Sequence, residues 1–325
     1  MSSFCLDNFC EGNPNEINGF VLSNILLPED VVLTILSAIK WTDLKACRLV
    51  CNSWRSLIDS FVCCKKLKSE CRDFLINYSN PVSELYFKHV PFYIYYAIGK
   101  KCFHRNLLKN VFGSGADQHV CDMVLIVDES GFDDVFNDYF QQMVCSTVNC
   151  PKFEHWKLTA SGGEGWAVEN VADGSDPVPE YLEEHSCFVT SYYTCTKQQL
   201  INLKQYGLSS RIMDEIQPHF ELCDWYTART DCGGIYRIKV TLLNAEEEPI
   251  AMFEHGKTIQ RFAGGQWQKV SHTFKDYGPG VRYILFEHGG EDTDWIGGHS
   301  GMKMTGSSVV AKLAPDFFQM PCDFE

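Results

Sequence analysis

The stretch FEHGGEDTDWIGGHSG, residues 286–301, sets carboxylates, two histidines and a tryptophan among glycines. Glycine lets a backbone take positive φ and lets a partner come close, and a tryptophan on such a loop has no helix or strand of its own to bury it. That combination suits ligand contact, and two chemistries are open. Glu287, Glu291, Asp292 and Asp294 offer carboxylate pairs of the kind that cleave a glycosidic bond, a reaction needing two acids flanking one bond at a set separation. Trp295 beside Asp294 offers instead an exposed ring and an acceptor for a bound ligand, whose identity the stretch itself does not give. The chain supplies no nucleophile elbow or phosphate loop, no metal-ligand cluster, and in Asp292-x-Asp294 too little for an EF-type calcium loop. The expectation is therefore binding without catalysis, cofactor or metal. His288, at a strand end, is expected to make a structural hydrogen bond; His299 is either a donor to a sugar hydroxyl or a solvated loop residue.

Such a loop has to be held by a scaffold, and the second half of the chain reads as one. Tyr236, Ile238, Val240 and Leu242 alternate with Arg237, Lys239 and Thr241, the period of a strand with one wet face. Val281, Tyr283 and Leu285 repeat that pattern after the turn signal DYGPG, and Val309, Ala311 and Leu313 form another strand after TGSS. Short strands separated by Gly, Pro and Asn clusters predict an antiparallel β-sandwich, with loops gathered at its ends.

The first half is helical. Pro28 fits a first helical turn, where its missing N–H is not needed, and Glu29 and Asp30 complement the helix dipole. Val32, Ile35, Leu36 and Ile39 recur at helical spacing. Asp43 caps a second helix with the stripe Leu44, Cys47, Val50, Cys51, Trp54 and Ile58. So small a core calls for a partner surface.

At 325 residues the chain has room for about two domains of ~150 residues. A net charge of −14 argues against a general nucleic-acid or anionic-membrane binder, since both need a basic face. The N-terminus lacks the basic and apolar regions of a secretory signal. The longest apolar run, VPFYIYYAI at 90–98, is about half the ~20 residues that span a bilayer, so no membrane insertion is expected and the location reads as cytoplasmic or nuclear. The 16 cysteines, without a C-x-x-C pair, then read as buried reduced thiols, and the acceptor Asn77-Tyr78-Ser79 should stay unglycosylated.

Two sets of motifs resemble known families. The segment LPEDVVLTILSAIKWTDLKACRLVCNSWRSLID, 27–59, resembles an F-box in its Leu-Pro start, its Asp-Leu opening of the second helix and its C-R-x-V-C-x-x-W-R block. That resemblance implies docking on the adaptor Skp1 and through it a cullin-RING ubiquitin ligase. Leu27, Pro28, Ile35, Leu36, Val50, Cys51 and Trp54 are then candidates for the contact or for the small core behind it. The blocks NLLKN, GGEGWAVEN, CFVTSYYTCTKQQLINL, DWYTARTDCGGIYRIKVTLL, SHTFKDYGPGVRYILFEHGG and MTGSSV follow one another across 106–313. They resemble the F-box-associated (FBA) domain of the sugar-recognising F-box family.

Together these resemblances imply an α+β multidomain chain: a flexible N-terminus at 1–22, an all-α F-box at 23–65, a helical linker at 66–101 and an FBA domain at 102–318. The last is a jelly-roll, galactose-binding-like β-sandwich with short helices. One departure is an insertion near 114–150, roughly thirty residues longer than the family pattern. Within it Phe132, Val135, Phe136, Tyr139, Phe140 and Met143 fall on one helical stripe, which reads as an add-on packing against the sandwich or as a partner-docking helix.

The family resemblance implies a substrate receptor that selects glycoproteins through the chitobiose core of N-glycans, for ubiquitination and ER-associated degradation. The sugar is held by an aromatic from the middle of the sandwich and a Tyr-Trp-Lys stretch after the EHGG block. In register, Trp295 stands for the Tyr, but Ile296 for the Trp and Gly297 for the Lys. Tyr192 or Phe188 supplies the other aromatic, and Asp294 is an added acceptor. The altered loop leaves two alternatives: an FBA domain that recognises a protein client without glycan, or a cytosolic lectin independent of the ligase.

Overall fold

The computed structural model describes residues 20–22, 25–78, 90–113 and 151–318. The chain divides into two compact units, Met1–His104 with Leu313–Glu325, and Arg105–Lys312. Residues 1–19, Ser79 of the glycosylation acceptor and the stripe expected at 132–143 lie outside the described residues.

Among the described residues the first unit holds a two-residue hairpin, β1 (Val21–Leu22) with β2 (Ile25–Leu26), and the α-helices α1 (Glu29–Ala38), α2 (Trp41–Cys47), α3 (Asn52–Leu57), α4 (Cys63–Glu70), α5 (Arg72–Ile76) and α6 (Phe92–Gly99). A π-helical turn, Ile58–Val62, joins α3 to α4. Pro28 is the N-cap of α1, with Glu29 and Asp30 in the first turn against the positive end of the helix dipole. Val32 and Leu36 are buried, whereas Ile35 is turned out, 45% exposed.

The single second helix predicted from Asp43 to Ile58 is instead two. Cys51 adopts an extended backbone, φ −159°, and its Sγ accepts the N–H of Trp54 at 3.4 Å, so it caps α3 and interrupts the helical phase. Asp43 lies in the first turn of α2, whose N-cap is Lys40. The interruption leaves Leu44 buried but Val50 62% exposed. Polar ties fix the bundle: Arg48 donates to both oxygens of Asp59 at 2.7 Å, and Trp41 Nε1 and Lys66 Nζ donate to Glu70 at 2.9 and 2.6 Å. Among the described residues no helix is long and apolar enough to cross a membrane.

The second unit is a sandwich of two five-stranded antiparallel sheets. One has the order β10-β7-β12-β5-β4, the other β3-β6-β11-β8-β9. The strands are β3 (Lys157–Ser161), β4 (Ala167–Glu169), β5 (Cys187–Val189), β6 (Cys195–Asn202), β7 (His219–Thr227), β8 (Gly234–Leu243), β9 (Pro249–Ile259), β10 (Gln268–Phe274), β11 (Tyr283–Asp292) and β12 (Lys303–Lys312). On β8 the predicted face is buried, Tyr236, Ile238, Val240 and Leu242 all at 1% exposure or less, while Arg237 and Lys239 are exposed. Thr241 is buried against expectation, lying between Leu285 of β11 and Met252 of β9.

Strand β11 inverts its predicted parity. Ile284, Phe286 and His288 face the interior, and Tyr283 and Leu285 do not; Val281 is buried ahead of the strand. A one-residue phase error exchanges the two faces of a strand, and the buried His288 disguised the pattern by placing a polar residue in the apolar row. On β12, Val309 and Ala311 are buried as predicted, and Leu313 just beyond the strand is buried too.

A polar network crosses the interior. Asp224 of β7 accepts from Tyr236 Oη of β8 at 2.6 Å and Ser307 Oγ of β12 at 2.7 Å, and its Oδ2 lies 2.6 Å from Nδ1 of His288 on β11. All four side chains are buried. A buried carboxylate is tolerated when its lone pairs are satisfied this way.

Candidate functional site

Every strand pairing in the sandwich joins an odd-numbered to an even-numbered strand antiparallel, and that fixes where the loops go. Within each sheet all odd strands run one way and all even strands the other. The β3–β4, β5–β6, β7–β8, β9–β10 and β11–β12 connections therefore form one set of loops, and hydrogen bonds between them show that they gather at one end. Gly298 N donates to Glu164 Oε1 at 2.8 Å, Ser191 Oγ donates to Gly298 O at 2.8 Å, and Gly233 N donates to Asp294 Oδ2 at 2.7 Å.

The loop predicted to bind lies in this end, after β11. Gly289 and Gly290 are needed where β11 meets its two neighbours, since a Cβ on Gly289 would lie 2.0 Å from Cys195 O of β6 and one on Gly290 2.5 Å from Ile235 O of β8. Asp292, nearly buried, then organises the turn: its carboxylate accepts the N–H groups of Asp294, Trp295 and Ile296 at 2.8, 2.6 and 3.2 Å. That cradle holds Trp295 at φ +57°, a left-handed conformation that a bulky residue rarely adopts, with its indole 67% exposed. Tyr193, 47% exposed on the β5–β6 connection, meets it edge to face at 5.1 Å, and Tyr192 lies 5.0 Å behind Tyr193.

The predicted residues separate accordingly. Trp295, the half-exposed Ile296, the exposed Gly297 and Asp294 share this loop, with Tyr192 on the neighbouring connection. Asp294 spends Oδ2 on Gly233 N, so only its other oxygen remains for a ligand. Phe188 is not part of the site: it is fully buried on β5, packed on Phe153 and Trp156, with Lys197 Nζ over its ring. Tyr193 was missed. Its signal was the Tyr192-Tyr193 pair, which cannot send both side chains to the core of an extended segment.

Three of the four acids considered for catalysis, Glu291, Asp292 and Asp294, have other partners. Asp292 serves three backbone donors, and Glu291 pairs with Arg237 at 3.0 Å and accepts from Thr194 Oγ1. His288 has the structural bond expected of it, and burial pushes its pKa below the usual imidazole range, so the ring is held neutral with Nδ1–H directed at Asp224. Among the other tryptophans, Trp166 is buried and donates to Ala160 O at 3.1 Å, and Trp225 is half-buried on β7 under Tyr181. Among the described residues no cluster of His, Cys, Asp and Glu suits a metal ion.

In the helical unit, Val50 and Ile35 are exposed, with Pro28 also at the surface. Leu27, Cys51 and Trp54 are half-buried, and Leu36 is wholly core. Leu36 therefore supports the exposed residues from behind.

Fold and site define a class: a small helical unit with apolar side chains left exposed, joined to a β-sandwich whose loop end displays aromatic rings beside polar groups. The description F-box-like matches residues 25–69, and F-box associated region matches 98–311. The chain belongs to the F-box proteins that carry an F-box-associated region. It is 34% identical over 293 residues to F-box only protein 44 of Homo sapiens, covering 87% of this chain and 94% of that protein. F-box only protein 6 of Homo sapiens is 33% identical over 289 residues, with 87% and 82% covered. Among solved structures, the CBM22-1 xylan-binding domain from Paenibacillus barcinonensis Xyn10C is 11% identical at a TM-score of 0.27, over 47% of this chain and 90% of that one. Membership supports a substrate-recognition role in a Skp1–cullin–F-box ubiquitin ligase, in which the F-box implies partnership with Skp1 and a cullin-RING ligase.

Proposed function

We propose that the protein selects glycoproteins for ubiquitination by holding the chitobiose core of their N-glycans on the loop end of the sandwich. The observation that carries this reading is the exposed Trp295–Tyr193 pair, fixed by the Asp292 cradle. Ring faces of N-acetylglucosamine are apolar and stack on such side chains, while the free Asp294 oxygen and backbone groups of the loop are available to hydroxyl and acetamido groups. The mechanism is proximity: the F-box, assigned to 23–65, docks on Skp1 through Leu27, Pro28, Ile35, Val50, Cys51 and Trp54, and the domain at 102–318 presents the client to a ubiquitin-charged enzyme. No bond chemistry by this chain is required. Retrotranslocated glycoproteins would be met in the cytoplasm, which places the protein in ER-associated degradation.

Ile296 and Gly297 favour a second reading, recognition of a protein client without its sugar, because they replace an aromatic and a cation in the resembling family. Capture of clients from cell extract before and after enzymatic deglycosylation separates the two. Capture lost on deglycosylation supports the glycan reading; capture retained in full supports the protein-client reading.

A further inference from the structure

The β9–β10 loop belongs to the same end of the sandwich and carries Phe262, at 77% exposure more open than Trp295. Both aromatics are in left-handed backbone conformations, Phe262 at φ +66°. An aromatic residue held in that conformation and left in water is unfavourable twice over, so neither conformational preference nor burial explains its presence. The loop packs close to the Trp295 loop through Gly233: Gly233 N donates to Asp294, Thr293 N donates to Gly233 O at 3.2 Å, and an added Cβ on Gly233 would meet Arg261 N at 3.2 Å. Arg261 lies 5.1 Å over the Phe262 ring and donates through Nε to Asp231 O at 2.9 Å, which anchors the base of the ring. On the far side β9 and β10 are the edge strands of their sheets, so Phe262 stands at the rim.

We propose that Phe262 is a second contact, taking an apolar side chain of the client polypeptide next to the glycosylated asparagine. This rests on the glycan reading above. The innermost sugar of an N-glycan is bonded to an asparagine side chain, so a core seated at Trp295 and Tyr193 brings its polypeptide to the edge of that site. The loop 260–266 has no carboxylate, the group best suited to accept sugar hydroxyls, and its Ala263, Gly264 and Gly265 leave the ring standing clear. Those features favour an apolar peptide side chain over a further sugar.

The test uses the full chain and its Phe262→Asn variant, since asparagine tolerates the left-handed conformation and the melting temperature should not fall. Three glycan probes are titrated by calorimetry, chitobiosyl-asparagine, a glycopeptide with that asparagine between leucines, and the same glycopeptide with glycines, and beside them the leucine peptide without its sugar. The wild type should bind the leucine glycopeptide about fivefold more tightly than the glycine one, a gain of the size expected for partial burial of a leucine. Phe262→Asn should abolish that preference and leave chitobiosyl-asparagine unchanged. Equal weakening of all three probes would make Phe262 part of the sugar site and overturn the proposal, as would a preference that survives the substitution. If the wild type ignores chitobiosyl-asparagine, the glycan reading fails; Phe262-dependent binding of the unglycosylated leucine peptide would then still support the peptide contact, and its absence would overturn that too.

Discussion

At the scale of single residues, the site depends on Asp292 as much as on Trp295. Asp292 spends its carboxylate on three successive backbone donors and is nearly buried, so Asp292→Ala leaves those N–H groups without their acceptor. Hydrogen bonds to a charged group contribute about 1.5–3 kcal/mol each in favourable cases, and part of the loss is recovered by water at the open side of the loop. A destabilisation of about 3 kcal/mol, read as a lower denaturant midpoint, is expected. Asp292→Asn keeps one acceptor oxygen and should lose less than half as much. The residue types of this loop were legible in the sequence because Gly, Asp and Trp announce a turn with something exposed on it. The division of labour among the acids was not: Asp292 and Asp294 read alike until the structure shows one aimed into the turn and the other across to Gly233. Phe188 and Tyr192 differ in the same way, since a register ambiguous by four residues moves an aromatic from the core to the rim.

At the scale of elements, the β8 and β12 strands were legible from alternation, whereas β11 was read on the wrong face. Its inner row contains His288, and only the Asp224 partner on the opposite sheet makes a histidine there acceptable. A tertiary partner of that kind leaves no periodic trace. In the helical unit the stripe was continuous on paper but is cut by the Cys51 cap, which throws Val50 outward. That exposure yields a prediction for the proposed Skp1 contact. Val50→Asp should leave the melting temperature within about 2 °C, as surface substitutions usually change stability by under ~0.5 kcal/mol, yet reduce Skp1 co-purification at least tenfold. Leu36→Ala should do the opposite, lowering stability by about 2–5 kcal/mol through a core cavity. Loss of Skp1 binding without unfolding in the first variant is the result that assigns the face; intact binding would remove Val50 from it.

At the scale of the whole molecule, the sandwich encloses ionisable groups that tie its stability to pH. Lys197 of β6 is wholly buried with its Nζ over the rings of Trp156 and Phe188, 3.8 Å from the Trp156 centroid; burial drives its pKa well below the usual lysine value, and the Asp224 charge opposes that only in part. Burial likewise lowers His288, with Asp224 opposing and Lys197 reinforcing. Groups depressed in this way hold fewer protons folded than unfolded, so stability rises with pH up to the unfolded values, near 6.5 for the histidine and 10.5 for the lysine. The folded protein should weaken as pH falls from about 6.5; the Lys197 contribution grows as pH rises toward 10.5, opposed above about pH 9 by buried thiols such as Cys63, Cys187 and Cys195, whose values burial raises. Lys197→Met retains the packing and removes the ionisable group; it should raise the midpoint at pH 7 and flatten the pH dependence below pH 9, where the buried thiols do not yet contribute. A variant that is less stable at pH 7, with the same pH dependence as the wild type, would show that the amine is not the titrating group.

The role as a ligase receptor follows from family, and the central claim beyond it is that the loop end of the sandwich binds glycan. The most direct measurement is a calorimetric titration of the full chain with a chitobiose-core glycan, repeated with Trp295→Ala. The account predicts saturable binding by the wild type, weakened at least tenfold in the variant, a loss of about 1.4 kcal/mol that suits removal of one stacking platform. An absence of heat up to millimolar glycan, or binding that the variant retains in full, would contradict it.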